Sequence, residues 1–319
     1  MKLKRKLLAV ITAAATVFSL CACSSESGYS NSDSGKLKII STVFPPYDLA
    51  RQIAGDNAEI SILLPPGSEI HNYEPSAKDM IAIRNCDIFL YIGGENEQWA
   101  EKLINSNDTE NVTAVKLIDY VPTLSEDEDE HDHDHDHDHE HEHEHETDEH
   151  IWTSPVMAQK LVENICHNLS EKMPEYKDVF NKNSKDYINE IKNVDKEIRS
   201  ITNKAHKKEI IFADKFPLKY FALEYGLKYY AAFDGCSGEM EPSAKTVAFL
   251  IDKVKAKDVF YLELSSQAMA DVICDDTGVK KYQFNSCHNI TEKQFKEGIT
   301  YVNLMKENAN VLKKALNVK

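Results

Sequence analysis

The chain has 319 residues, enough for two lobes with cores of their own, and a formal net charge of −16. Fifteen acidic residues and no Lys or Arg fall between 126 and 149, so the rest of the chain is close to neutral. A near-neutral body without a basic face offers no footprint for nucleic acid, and the acidity belongs to one insert.

The chain opens "MKLKRKLLAVITAAATVFSLCAC", with four basic residues in the first six, a short apolar run and small residues before a cysteine. That order reads as an export signal over 1–22 rather than a folded element. "LCAC" (Leu20 to Cys23) resembles a bacterial lipobox, which implies acylation of Cys23 as the mature N-terminus. Residues 23–36, with "SSESGYSNSDSG", read as a flexible tether. No second apolar stretch reaches membrane-spanning length, so the expectation is an extracytoplasmic protein anchored by lipid and not crossing the bilayer.

"LKIISTVFPPYDLARQIAG" then reads as strand, proline turn and helix, closed by Gly55. "AEISILLPP" is a strand, "SAKDMIAIRNC" a helix, "DIFLYIGG" a buried strand, "NEQWAEKLINS" a helix and "VTAVKLID" extended. Strands alternating with helices of about ten residues imply a parallel sheet covered on both faces. This first lobe is expected over 37–173.

Within it lies "EHDHDHDHDHEHEHEHE", residues 130 to 146. Alternating acids and imidazoles bury nothing and repel one another, so an insert over 125–149 is expected to be disordered. Its histidines, His131, His133, His135, His137, His139, His141, His143 and His145, can share metal ions in shifting combinations with the carboxylates. That suits low-affinity capture and hand-over. "HEHEH" at 141–145 satisfies the HExxH pattern of zinc proteases, but the repeat generates the match and no apolar helix frames it.

Ser154 and Pro155 open the next helix, as cap and first helical residue. From Glu175 to about Lys207 there is no Gly or Pro, and Phe180, Tyr187, Ile188, Ile191, Val194, Ile198 and Ile201 recur at spacings of three and four. They predict one long amphipathic helix, with a linker over 174–207. The alternating pattern resumes over 208–319, giving a second α/β lobe. "EPSAKD" at 74–79 recurs as "EPSAKT" at 241–246, each opening a helix, which favours a duplicated lobe plan. Five cysteines follow Cys23: Cys86, Cys166, Cys236, Cys274 and Cys287. An odd number leaves one unpaired, and a bridge is expected within the last third, among Cys236, Cys274 and Cys287.

Three stretches, "FPPYDLARQIAGD" (44–56), "LLPPGSEIHNYEPSAKD" (63–79) and "DEHIWTSP" (148–155), resemble signatures of the metal-binding lipoproteins of zinc ABC importers, the ZnuA/AdcA type. "YIGGENEQWAEKLI" (91–104) matches more loosely, and an acidic His-rich insert before the HIWxSP-like motif marks the zinc-specific branch. The resemblance runs from about residue 37 to the end and weakens in the second lobe. It implies two lobes joined by one long helix, with a metal ion in the cleft between them.

His71 and His150 are then the first-lobe ligands, since neutral imidazole is a good zinc donor and a tetrahedral site needs two further N or O donors. In the second lobe the pattern breaks. Zinc relatives carry a histidine after the first strand, whereas this chain has "IIFADKFPLKYF". Alignment on the strand puts Asp214 there, and alignment on the following helix puts Lys215, which as an ammonium cannot coordinate. Asn285 occupies the fourth position, with water, Glu263 or His288 as alternatives. His167 and His206 are expected to face solvent.

The expected function is capture of Zn²⁺ as cargo and delivery to a permease and ATPase of an ABC importer, by a lipid-anchored monomer that catalyses nothing. Two alternatives stay open: a manganese or iron binder, and a surface metal-storage or adhesion lipoprotein without a transporter.

Overall fold

The computed structural model describes residues 36–68, 73–106, 109–124, 147–233, 242–255 and 257–318. The expected signal segment, Cys23, the tether, His71, the eight repeat histidines and Cys236 all lie outside the described residues.

In the first lobe, β1 (Leu37–Ser41) pairs in parallel with β2 (Ala58–Ile62) and β3 (Ile88–Tyr91), and β3 with β4 (Thr113–Lys116). Between β1 and β2 runs α1 (Phe44–Ala54), whose Pro45 and Pro46 sit in the first turn, where absent amide hydrogens cost nothing. α2 (Ala77–Arg84) and α3 (Gln98–Ile104) complete the crossovers. After β4 come α4 (Pro155–Lys172), capped by Ser154, and α5 (Lys177–Lys204).

The second lobe repeats the plan. β5 (Glu209–Phe212), β6 (Lys228–Ala231), β7 (Val259–Leu262) and β8 (Lys281–Phe284) form a parallel sheet in the order β6-β5-β7-β8, the counterpart of β2-β1-β3-β4. Its helices are α6 (Lys219–Tyr225), α7 (Ala244–Val254), α8 (Ala268–Thr277), α9 (Glu292–Lys296) and α10 (Tyr301–Ala315). The repeated hexapeptide falls at equivalent places. Ser76 caps α2 by accepting the amide of Asp79, Ser243 caps α7 by accepting that of Thr246, and each helix leads from the second strand of its sheet to the third.

Alternation along β5 shows how the second sheet is buried on both faces. Ile210 and Phe212 join the main core, while Ile211 and Ala213 pack with Leu250, Val254 and Ile273 on the other side. The main core runs without a break from Ile39 and Leu90 of the first lobe, through Ile191 and Val194 of α5, to Phe260 and Leu304 of the second.

All seven apolar residues that define the long helix are buried. α5 has 28 residues, a span of about 42 Å at ~1.5 Å per residue. Pro174–Tyr176 forms a separate 3₁₀ turn ahead of it, and Ala205, with ψ 130, ends it before Lys207. The insert expected over 125–149 is outside the described residues as far as 146. Its last residues depart from expected disorder: Asp148 is 3% exposed and Glu149 is hydrogen-bonded to Asn96, because both carboxylates have donors to fold against. Among the described residues Cys86, Cys166, Cys274 and Cys287 are free thiols, so the bridge expected in the last third does not form from Cys274 or Cys287. No helix among them is long and apolar enough to cross a membrane.

Candidate metal centre

Parallel sheets deliver functional groups from the loops at the carboxyl ends of their strands. The loop after β8 in the second lobe meets the segment 147–154 of the first. His150, 3% exposed, stands immediately before the 3₁₀ turn Ile151–Thr153. Its ring Nδ1 lies 2.8 Å from Asp148 Oδ1, and its amide donates to the same oxygen, also at 2.8 Å. A carboxylate there accepts a hydrogen bond from Nδ1–H, which leaves the lone pair on Nε2, the arrangement of a carboxylate–histidine–metal triad. Burial pushes the Asp148 carboxyl up, but hydrogen bonds and charge from His150, with Lys219 nearby, outweigh it and hold the group below its ordinary value.

His288 faces His150 from the second lobe, with ring centroids 5.3 Å apart and planes at 89°. Trp152 packs against both, 5.4 Å from the His150 ring and 4.9 Å from that of His288. Its indole N–H donates to the carbonyl of Ser286 at 2.9 Å, and its own carbonyl accepts the hydroxyl of Tyr301 at 2.8 Å. Glu263 accepts both the amide and the hydroxyl of Ser286, each at 2.6 Å, and the Ser286 hydroxyl accepts the His288 amide at 3.2 Å. Burial raises the Glu263 carboxyl to about 7 against the Ser286 hydrogen bonds.

The other expected second-lobe groups are engaged elsewhere. Asp214 accepts the amides of Leu262 (2.9 Å) and Lys215 (2.8 Å) and the hydroxyl of Ser265, tying the end of β5 to the end of β7. Asn285 is bound to α10. Its side-chain amide reaches Glu307 and Asn308, and its backbone amide donates to Asn308 at 2.7 Å. His167 pairs with Glu171 on an exposed helix face, and His206 is exposed just past the end of α5.

His71 is outside the described residues, but the chain leading to it is anchored at the same rim. Asn289 donates to the carbonyls of Pro65 (3.0 Å) and Ser68 (2.8 Å), and the amide of Gly67 donates to the carbonyl of Ile290 at 2.7 Å. Among the described residues no group of three or more His, Cys, Asp or Glu is arranged to hold a metal ion.

Sequence reasoning missed Asp148, Glu97 and Ser286. An acid two residues before a candidate ligand was the available signal for the first. For Glu97 the signal was the glycine pair of "YIGGENEQW": a Cβ on Gly94, at φ +92, would lie 2.4 Å from Cγ of Glu149. That close approach seats Glu149 on the amide of Asn96, and Glu97 accepts the amide of Gly93 in the same loop.

A family model described as "ZnuA: Zinc-uptake complex component A periplasmic" matches residues 39–315. The chain belongs to the ZnuA family. A "High-affinity zinc uptake system protein ZnuA" of Bacillus subtilis (strain 168) is 35% identical over 318 residues, covering 98% of each chain. A "Zinc-binding lipoprotein AdcA" of Streptococcus pneumoniae (strain ATCC BAA-255 / R6) is 36% identical over 311 residues, 97% of this chain but 60% of that one. This chain therefore spans about three-fifths of the AdcA length. Among solved structures, the Zn(II)-bound ZnuA-like domain of Streptococcus pneumoniae AdcA matches with TM-score 0.73 and 34% identity, over 89% of this chain and 100% of that one. The metal-dependent lipoprotein YcdH from Bacillus subtilis matches with TM-score 0.75 and 30% identity over 89% and 100%. In this ZnuA-family chain the "FPPYD" stretch has a structural task. Asp48, fully buried, accepts Arg51, Gln52, the hydroxyl of Tyr187 and the amide of Tyr301, which rivets α1, α5 and α10 together.

Proposed function

We propose that this chain is an extracytoplasmic solute-binding protein that captures Zn²⁺ between its lobes and hands it to the permease and ATPase of an ABC importer. It works as a monomer held at the membrane by a lipid on Cys23 and performs no covalent chemistry. The observation that carries the reading is the buried His150 with its Nδ1 committed to Asp148, opposite His288. Two imidazoles on one tetrahedral ion, with Zn–N of about 2.0–2.1 Å, have ring centroids roughly 5 Å apart, which agrees with the His150–His288 spacing. The proposed ligands are His71 and His150 from the first lobe and His288 from the second. Asp214 and Asn285 keep their hydrogen bonds to β7 and α10, and Glu263 completes the site or orients His288 through Ser286. Family membership and the zinc-naming relatives support the choice of cargo, and the AdcA name supports the lipid anchor.

Native mass spectrometry after exposure to equimolar Zn²⁺ and Mn²⁺ tests this. One tightly held zinc is expected, lost on His150→Ala. Preferential loading of manganese would favour the carboxylates of Glu263 and Asp214 and displace the zinc reading.

A further inference from the structure

Trp152 belongs to the first lobe, in the 3₁₀ turn that follows His150, yet two of its hydrogen bonds go to the second. Its indole N–H donates to the carbonyl of Ser286 at 2.9 Å, in the loop after β8. Its backbone carbonyl accepts the hydroxyl of Tyr301 at 2.8 Å, from the start of α10. Trp152 and Tyr301 are each 1% exposed and Ser286 is 4% exposed, so water does not compete for either bond. One residue is thereby tied to two elements of the opposite lobe, through its side chain to one and through its backbone to the other.

Any buried indole needs an acceptor for its N–H. Here the acceptor lies two residues before His288, and the ring packs against both imidazoles. The three ring centroids form a triangle with sides of 5.3 Å (His150–His288), 5.4 Å (His150–Trp152) and 4.9 Å (Trp152–His288). Glu263 fixes Ser286 from within the second lobe, and Asn289 ties the far end of the loop to Pro65 and Ser68 of the first. His288 therefore sits on a loop held on both sides, and the indole sets where its ring stands relative to His150.

That separation bears on which ion fits. Four-coordinate zinc spreads its donors to about 109°, whereas an octahedral ion such as manganese holds neighbouring donors at about 90°. Two imidazoles on an octahedral ion approach each other more closely than on a tetrahedral one. An indole packed on both rings and pinned at Ser286 resists that rearrangement.

We infer that Trp152 is a positioning residue for metal selection. By pinning the Ser286 carbonyl and packing on both rings, it holds His288 at a tetrahedral spacing from His150 before any ion arrives, and so favours zinc over ions that demand octahedral geometry. The inference rests on His150 and His288 being zinc ligands.

The test is a pair of chelator competitions on the whole chain, one with Zn²⁺ and one with Mn²⁺. Trp152→Phe keeps an aromatic ring and deletes the N–H. It is expected to weaken zinc about tenfold, the range of lost partners behind a metal ligand, and to leave manganese within about threefold, so that the preference for zinc falls. Hydrogen exchange of the 285–290 amides, read in the metal-free chain, is expected to quicken at least about threefold in the same variant. Equal losses for the two ions would mean that Trp152 acts through packing alone, and unchanged exchange would mean that the loop needs no pin from the first lobe. Either overturns the inference. If Trp152→Phe does not fold, Tyr301→Phe takes its place, since it removes only the hydroxyl that holds the Trp152 carbonyl. The preference for zinc is then expected to fall about threefold, the worth of one neutral hydrogen bond, and an unchanged preference overturns the inference. His150→Ala and His288→Ala in parallel separate the two levels. Tight zinc binding that survives both defeats the ligand reading, whereas its loss leaves the Trp152 comparison decisive.

Discussion

One oxygen of Asp148 accepts both the ring Nδ1 and the backbone amide of His150, each at 2.8 Å. Two bonds on one atom fix the imidazole's tautomer and its direction together, so the cost of ordering the ligand is met before a metal binds. Asp148→Asn keeps the shape and loses the charge that favours Nδ1–H. Zinc affinity is expected to fall by roughly 10–100-fold, as for other partners behind metal-bound histidines. An unchanged affinity in a chelator competition would show that the ring is oriented by Trp152 and His288 alone.

The second lobe offers a contrast between His288 and Asp214. His288→Ala is expected to weaken zinc by an order of magnitude or more with a smaller loss of melting temperature than Asp214→Ala, because the ring is half-buried and packs on His150 and Trp152. Asp214→Ala is expected to do the reverse. It strands the buried amide of Leu262, and a buried unsatisfied group costs about 1–3 kcal/mol. Loss of metal with unchanged stability in Asp214→Ala would restore it as a ligand.

The lobes and the long helix were legible in the sequence because they rest on local signals: period-two and period-3.6 apolar patterns, proline at helix starts and serine caps. His150 was marked as a candidate by its motif. The proposed second-lobe donor, His288, stood only among the alternatives, because strand-end loops are placed by tertiary contacts that leave no periodic trace. Asp214 follows an apolar strand and looks like a ligand, yet its acceptors are used by the neighbouring β7 end. His288 sits in "FNSCHN" with no local signal, and Glu263, which sets its loop by accepting from Ser286, lies on a different strand end, 23 residues before Ser286.

Removing residues 126–147 tests the division of labour between the insert and the cleft. Asp148, His150 and His288 all remain. Native mass spectrometry is expected to show the loss of several weakly held zinc ions and the retention of one tight one. A folded protein without tight zinc after the deletion would place the primary site in the repeat.

Glu97 gives a pH-dependent prediction away from the ligands. It is 4% exposed, accepts the amide of Gly93 at 2.8 Å, and burial raises its carboxyl to about 7, with Glu149 adding to the rise against the hydrogen bond from Gly93. A carboxyl whose folded pKa exceeds its unfolded value binds its proton more tightly in the native state. Its contribution to stability is therefore complete below about pH 4.5 and is lost as pH rises through about 7. The full difference corresponds to about 3 kcal/mol at ~1.4 kcal/mol per pH unit. Glu97→Gln stays neutral throughout and keeps an acceptor for Gly93. Urea titrations of the metal-free protein at pH 5 and pH 8 are expected to show the native chain losing more stability between the two than Glu97→Gln does. A parallel pair of curves would mean that Glu97 titrates near its ordinary value, its charge accommodated by the amide of Gly93.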